Sequence, residues 1–231
     1  MLKNDFLLTA TLTFITILLN ASEYSIGTPF IINYQRSNYL AGSQTWDIQQ
    51  GSNGMMYFAN NDGLLEYDGT NWNIYKLPNN SIVRSIEKGR DGILYAGGYD
   101  ELGYFEIGNM GGARYKSILN LLPHDLQDFG DVWKIYNHTD GVFFQTYNQL
   151  IIYKNDTVKV IKAPSLFHFS YMVNNEYYIN DMELGLMRYA MGNLYPLNGM
   201  EQLKGKEIWG ILPIENKLLI ATASDGTYLY N

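Results

Sequence analysis

Three observations predict an all-β repeat protein. The composition favours strands and turns: 15% of residues are aromatic, with 20 Tyr and 22 Gly against only 6 Pro. Beyond the first stretch no helical stripe of useful length appears, and the one candidate, residues 117–127, is interrupted by Pro123. A unit of about 40 residues recurs, each copy holding several short strands. A period of that length with several strands per copy is the signature of β-propeller blades. The fold class is therefore a β-propeller of four-stranded blades, with about five blades present.

The chain opens with Lys3, then an apolar run over residues 6–19, then the small residues Ala21 and Ser22. A basic start, an apolar stretch of about 7–15 residues and a small-residue exit describe a secretory signal peptide. A membrane-spanning helix needs about 20 apolar residues, more than this run offers. Residues 1–22 are read as a signal peptide, and a periplasmic location follows. The chain has no Cys, which removes a lipoprotein anchor and any disulfide framework. Residues 30–34 (FIINY) read as a strand.

The blades follow, near residues 44–80, 81–123, 130–164, 166–199 and 207–231. Each copy starts with a short apolar strand. A turn, a second strand, a polar turn and a third strand rich in Tyr and Leu come next. The second residue of each copy sets the register: Trp46, Arg84, Trp133, Phe169 and Trp209, spaced by 38, 49, 36 and 40 residues. A turn glycine follows eight residues later in the first three copies, at Gly54, Gly92 and Gly141. The fourth has Asn174 and Asn175 near that place and the fifth Asn216, which fits because Asn tolerates the left-handed backbone. Gly63, Gly103, Gly185 and Gly226 introduce third strands. Candidate outer strands are 72–77, 115–119, 158–161 and 194–197. The fifth copy has none before Asn231. Either residues 30–34 complete it and five blades close, or the blades are part of a larger, seven-bladed propeller. The second arrangement is the expectation.

The grammar resembles the two-component regulator propeller family of Bacteroidetes. In those repeats a DG turn is followed by an aromatic strand, a short polar loop, and G-L-x-x-Y/F-D. Here that reads Asn53-Gly54, then Met56 to Asn60, then Gly63-Leu64-Leu65-Glu66-Tyr67-Asp68. The fifth copy matches in part, with Leu219 to Thr222 and then Asp225-Gly226-Thr227-Tyr228. The fourth copy departs from the pattern at Met182-Glu183 and has no DG. The resemblance implies a periplasmic sensor segment of a membrane-spanning two-component or transcriptional regulator, in a family many of whose members are linked to glycan sensing. It also implies downstream partners outside this chain: a triple-tyrosine domain, a membrane helix, and a histidine kinase or helix-turn-helix output. A homodimer belongs to that full-length context.

The chemistry-bearing residues are weighed against bland roles. The formal net charge of −7, with scattered basic residues, argues against nucleic-acid binding by this segment. His124, His138 and His168 lack metal-ligand spacing, and no P-loop or G-x-S-x-G elbow is present. No cofactor or metal is expected. The acid pairs Asp100 with Glu101, Asp128 with Asp131, and Asp181 with Glu183 read as turn residues before they read as acid and base. Turns joining second to third strands (60–62, 99–101, 146–148, 180–183 and 224–225) open on one face of a propeller. Candidate ligand-binding residues there are Tyr99, Asp100, Glu101, Tyr147, Asn180 and Asp181, since amides, acids and aromatic faces together suit sugars. Trp46, Trp133 and Trp209 are ligand candidates as well, although packing between blades is the favoured reading of them, since Trp buries a large area. Arg84 at the same phase is harder to place in a core. It needs a carboxylate or carbonyl partner, or access to the channel. A binding module for a small molecule or oligosaccharide is the expectation, and not an enzyme. A propeller lyase or glycosidase, or a structural interaction propeller, are the alternatives.

Overall fold

The computed structural model describes residues 27, 31–89 and 92–231. The chain divides into two compact units, Met1–Tyr34 and Gln35–Asn231. The signal-peptide assignment lies outside the described residues. Of the segment 30–34, Phe30 is also outside them. Residues 31–34 form no strand, contrary to expectation. Ile31, Ile32 and Tyr34 are exposed, so no sheet covers them.

The second unit is a fan of five antiparallel sheets, the blades of a β-propeller. Blade 1 holds β1 (Thr45–Gln50), β2 (Met56–Asn60), β3 (Gly63–Tyr67) and β4 (Trp72–Tyr75). Blade 2 holds β5 (Val83–Lys88), β6 (Leu94–Gly98), β7 (Leu102–Ile107) and β8 (Ala113–Ser117). Blade 3 holds β9 (Lys134–His138), β10 (Gly141–Gln145), β11 (Gln149–Lys154) and β12 (Thr157–Lys162). Blade 4 holds β13 (Phe167–Val173), β14 (Glu176–Asp181), β15 (Gly185–Ala190) and β16 (Asn193–Pro196). Blade 5 holds β17 (Ile208–Ile214), β18 (Lys217–Thr222) and β19 (Thr227–Tyr230), with no fourth strand among the described residues. All four expected outer strands are present within two residues or so of their predicted ends. Between blades 2 and 3, residues 117–127 form two short 3-10 turns, Leu119–Leu121 and His124–Leu126, separated by Pro123.

The turns explain the repeat's glycines and asparagines. Gly54 and Gly92 take positive φ between first and second strands. Asn174 and Asn175 do so in blade 4, at φ 52 and 63. Two consecutive left-handed residues suit the tight hairpin turn that matches strand twist. In blade 5 the left-handed residue is Glu215, not the expected Asn216.

Four apolar clusters form the core, one per junction between neighbouring blades. Tyr57, Leu64, Val83 and Phe105 pack blade 1 on blade 2. Tyr95, Phe129, Val132 and Phe144 pack blade 2 on blade 3. Phe143, Phe167, Tyr177 and Ile179 pack blade 3 on blade 4. Tyr178, Leu186, Ile208 and Ile220 pack blade 4 on blade 5. The interior blades are buried on both faces, so β6, β10 and β14 have buried runs with no alternation. The innermost strands lie side by side in chain order: β1 by β5, β5 by β9, β9 by β13, and β13 by β17. Polar links cross between them. The Ile86 N–H donates to Asp47 at 3.1 Å, Ser85 Oγ to the Val132 carbonyl at 2.7 Å, and Tyr171 OH to the Ile208 carbonyl at 2.6 Å.

Candidate functional site

The five register residues converge at one end of the fan. A β-bulge explains how. The pairing of β1 with β2 shifts between Thr45 and Asp47, and that of β5 with β6 shifts between Val83 and Ser85. Shifts also fall between Phe167 and Ser170, and between Ile208 and Gly210. Trp46, Arg84, Phe169 and Trp209 therefore sit in bulges at the start of innermost strands. A bulge frees a residue from the ladder and re-aims its side chain. Trp133 lies just ahead of β9, its N–H bonded to the Gln145 carbonyl at 2.8 Å.

Together the five side chains form one continuous row. The Arg84 guanidinium carbon lies 3.7 Å from the Trp46 ring centroid and 4.7 Å from that of Trp133. Trp133 and Phe169 are 6.1 Å apart, and Phe169 and Trp209 are 5.6 Å apart. Tyr147 stacks against Trp133 at 5.2 Å. His168 touches both Phe169 and Trp209. Trp46 and Trp209 are 37% and 58% exposed, so the row is open at both ends and covered at its centre. Ring spacings of 4.5–7 Å are the favourable range for aromatic pairs.

Arg84 has the carboxylate partner that its position demanded. Its Nε donates to Asp131 Oδ1 at 3.1 Å, and both side chains are largely shielded from solvent. Two donors next to this pair, Arg84 Nη1 and Trp133 Nε1, are buried without a hydrogen-bond partner. By contrast, Trp46 Nε1 donates to Asn61 Oδ1 at 2.7 Å and Trp209 Nε1 to Glu207 Oε2 at 3.3 Å. Burial raises the Tyr147 hydroxyl above its ordinary pKa. Asp131 and Glu207 add to the rise and Arg84 opposes it, so this hydroxyl feels groups from several blades at once.

The remaining sequence candidates are tied into loops and turns, and Tyr99 forms an antiparallel bridge with Asp131, the carboxylate that holds Arg84. Tyr99 is exposed, and its carbonyl accepts from Asn79 Nδ2 at 2.9 Å. Asp100 is left-handed, and its carboxylate accepts the Gly130 N–H at 2.6 Å, pinning one loop to another. Glu101 is buried away from the mouth, accepting from Ser117 Oγ at 2.6 Å and Tyr115 OH at 3.0 Å. Asp181 is buried and accepts from Ser165 Oγ and from the Glu183 and Leu184 N–H groups, which closes its own turn. Asn180 is buried and donates to the Lys206 carbonyl at 2.8 Å. Of the sequence candidates, Arg84, Tyr147 and the three register tryptophans meet in the row; Phe169, Asp131 and Glu207 join them and were not among the ligand candidates. A signal existed for the acids: Asp131 and Glu207 each stand two residues before a register tryptophan.

Clefts of about 380 and 390 Å³ lie at the opposite end, where turns of blades 1 and 2 and of blades 2 and 3 part. Gly51, Ser52, Gly92 and Gly108 help line one, and Thr139, Gly141 and Asn155 the other. Their walls are mainly turns, and they bring together less chemistry than the row does. No group of three His, Asp or Glu able to hold a metal exists among the described residues. No helix among them is long and apolar enough to cross a membrane.

No family model matches the chain, and no curated protein does. Solved structures do match. One is the extracellular domain of a B. thetaiotaomicron protein assigned as a hybrid two component system, at TM-score 0.58 and 18% identity over 82% of this chain. A second domain of that kind from the same organism matches at TM-score 0.52 and 16% identity over 88% of this chain. Virginiamycin B lyase from Staphylococcus aureus matches at TM-score 0.56 and 15% identity, over 82% of this chain and 70% of its own. The chain spans 28% and 36% of the length of the two extracellular domains. At these identities the likeness is one of fold, and the fold is a β-propeller.

Proposed function

We propose that this chain is a ligand-recognising propeller segment of an exported sensor, and a binding module with no catalysis of its own. The observation that carries the reading is the unbroken row from Trp46 to Trp209. Five blades each send their register residue to it, four of them by way of a bulge. Packing alone does not call for indoles 37% and 58% exposed at the ends of such a row. Exposed aromatic faces flanked by amides and acids suit the C–H faces and hydroxyls of an oligosaccharide. The fold likeness to extracellular domains assigned to two component systems supports a sensory role in the periplasm. The output half, a histidine kinase or helix-turn-helix, belongs to the regulator of which this segment is a part.

Intrinsic fluorescence tests the reading, because three of the four tryptophans are in the row. Titration of the full chain with a panel of plant and host oligosaccharides should identify one that shifts or quenches emission. Trp209→Ala and Trp46→Ala should each weaken that ligand about tenfold or more, since stacking on an aromatic face is worth about 0.5–1.5 kcal/mol beyond area burial. Turnover of any panel member, or binding unaffected by both variants, would refute it.

A further inference from the structure

Arg84 is a misfit among its equivalents. The other four blades place an aromatic ring at this phase, and blade 2 places a guanidinium between two of those rings. Nothing in blade packing requires a cation there. The carboxylate beside it, Asp131, engages only Nε. Nη1 and the neighbouring Trp133 Nε1 are both buried, both donors, and both without an acceptor. A buried unsatisfied donor forfeits its hydration without recompense, the more so when charged, so two side by side in a folded protein call for an explanation. Neither group can accept a hydrogen bond, since both are donors only. Whatever completes them must bring acceptor oxygens, and the guanidinium selects for negative charge on those oxygens. Over them lies Trp46, a third exposed and held by one side-chain hydrogen bond to Asn61.

We propose that Arg84 and Trp133 form an oxyanion subsite in the row, which takes the carboxylate or sulfate of an acidic sugar. The sugar ring stacks on the neighbouring indoles while its oxyanion accepts from Arg84 Nη1 and Trp133 Nε1. Trp46 swings aside to admit it and closes over it, so the site is sealed until ligand arrives. Asp131 holds the guanidinium by Nε and leaves its far end free. This inference rests on the reading of the row as an oligosaccharide site and adds the charge class of the ligand.

The test compares matched probes on the full chain by tryptophan fluorescence. They are a trigalacturonate, its carboxyl-reduced neutral counterpart, and a sulfated neutral trisaccharide. Charge-assisted hydrogen bonds are worth about 1.5–3 kcal/mol, so at least one oxyanion probe should bind about 10–100-fold more tightly than the neutral probe. Which of the two wins tells carboxylate from sulfate. Arg84→Met fills the space between the indoles without donors and should reduce the acidic probe to the neutral level. Arg84→Lys should restore part of the preference. Should Arg84→Met fail to fold, the wild-type comparison of acidic with neutral probes still decides. Equal binding of acidic and neutral probes, or an acidic preference that survives Arg84→Met, overturns the oxyanion subsite and leaves the oligosaccharide reading standing. Absence of binding by every saccharide overturns both.

Discussion

At the scale of single residues, burial decides which charges hold structure and which remain free for ligands. The Arg84–Asp131 pair illustrates the asymmetry. Either truncation strands a charge, but the guanidinium is the more shielded, at 11% exposure against 19% for the carboxylate, and Met in its place still packs between the two indoles while the carboxylate reaches water. Asp131→Ala should therefore cost about 2–4 kcal/mol in urea unfolding, and Arg84→Met under about 1.5 kcal/mol. Equal losses would mean that the pair acts as an ordinary core contact. Glu66 is another shielded charge. It is buried beneath blade 1 and accepts from Tyr57 OH at 3.1 Å, Tyr75 OH at 3.0 Å and Asn73 Nδ2 at 3.2 Å. Burial, and then the Glu66 carboxylate, push both tyrosines from 10.0 up to about 12. The folded value lies above the unfolded one. Their contribution is thus complete below pH 10 and is lost as pH rises through about 12. Tyrosinate absorbance at 295 nm should show these groups titrating late. Glu66→Gln should bring the Tyr75 step to lower pH, and an unchanged titration would detach the tyrosines from Glu66.

At the scale of elements, bulges and turns carry the functional geometry. A strand in perfect register would alternate its side chains between the two blade faces. The bulge at the start of β1, β5, β13 and β17 breaks that alternation at one residue and turns it toward the mouth. The turns then fix strand positions, and one glycine is tight enough to test. Gly63 opens β3 at φ +139, where an added Cβ would stand 2.4 Å from the Tyr75 carbonyl oxygen. Gly54 is also left-handed at φ +82, but an added Cβ meets open space. Gly54→Ala should cost about 1–2 kcal/mol, the price of a left-handed alanine. Gly63→Ala should cost more, because the clash is with backbone that cannot rotate away. Urea midpoints of the two variants would rank them, and the reverse order would mean that the β3–β4 pair relaxes freely.

At the scale of the whole fan, the end blades differ from the interior ones. Blades 2, 3 and 4 are covered on both faces by neighbours. Blade 5 presents Leu212, Leu219 and Leu229 as one cross-strand row on its far face, and Leu212 and Leu229 are 61% and 54% exposed. Its last strand, β19, is paired on one side by β18, with no partner strand on the other side among the described residues. An apolar face beside an unpaired edge is an association site. The chain should self-associate with rising concentration in sedimentation velocity, and Leu212→Lys with Leu229→Lys should suppress it. Amides of β19 should exchange faster than those of β18. A monodisperse monomer at high concentration with slow exchange along β19 would show that this face is already covered, and would favour closure of the five blades over a larger ring.

The repeat and its strands were legible in the sequence because blade packing imposes a period on composition. Strand segments, the left-handed Asn174–Asn175 turn and the outer strands could be placed by local chemistry alone. The register phase of Trp46, Arg84, Trp133, Phe169 and Trp209 was legible too, and so was the need of Arg84 for a carboxylate, a carbonyl or access to the channel. What those five residues do together was not. Periodicity does not distinguish a side chain packed between blades from one turned out of the ladder, since a bulge shifts register by a single residue without altering the spacing. Only the tertiary structure joined Arg84 to Asp131 across 47 residues, set the guanidinium between two indoles, and left two buried donors without acceptors. It also committed Glu101, Asn180 and Asp181 to hydrogen bonds with backbone groups of their own and neighbouring loops. Sequence determined the blades because strand and turn preferences are local. The mouth was decided by how blades stack, and that depends on which long-range contacts satisfy each buried polar group.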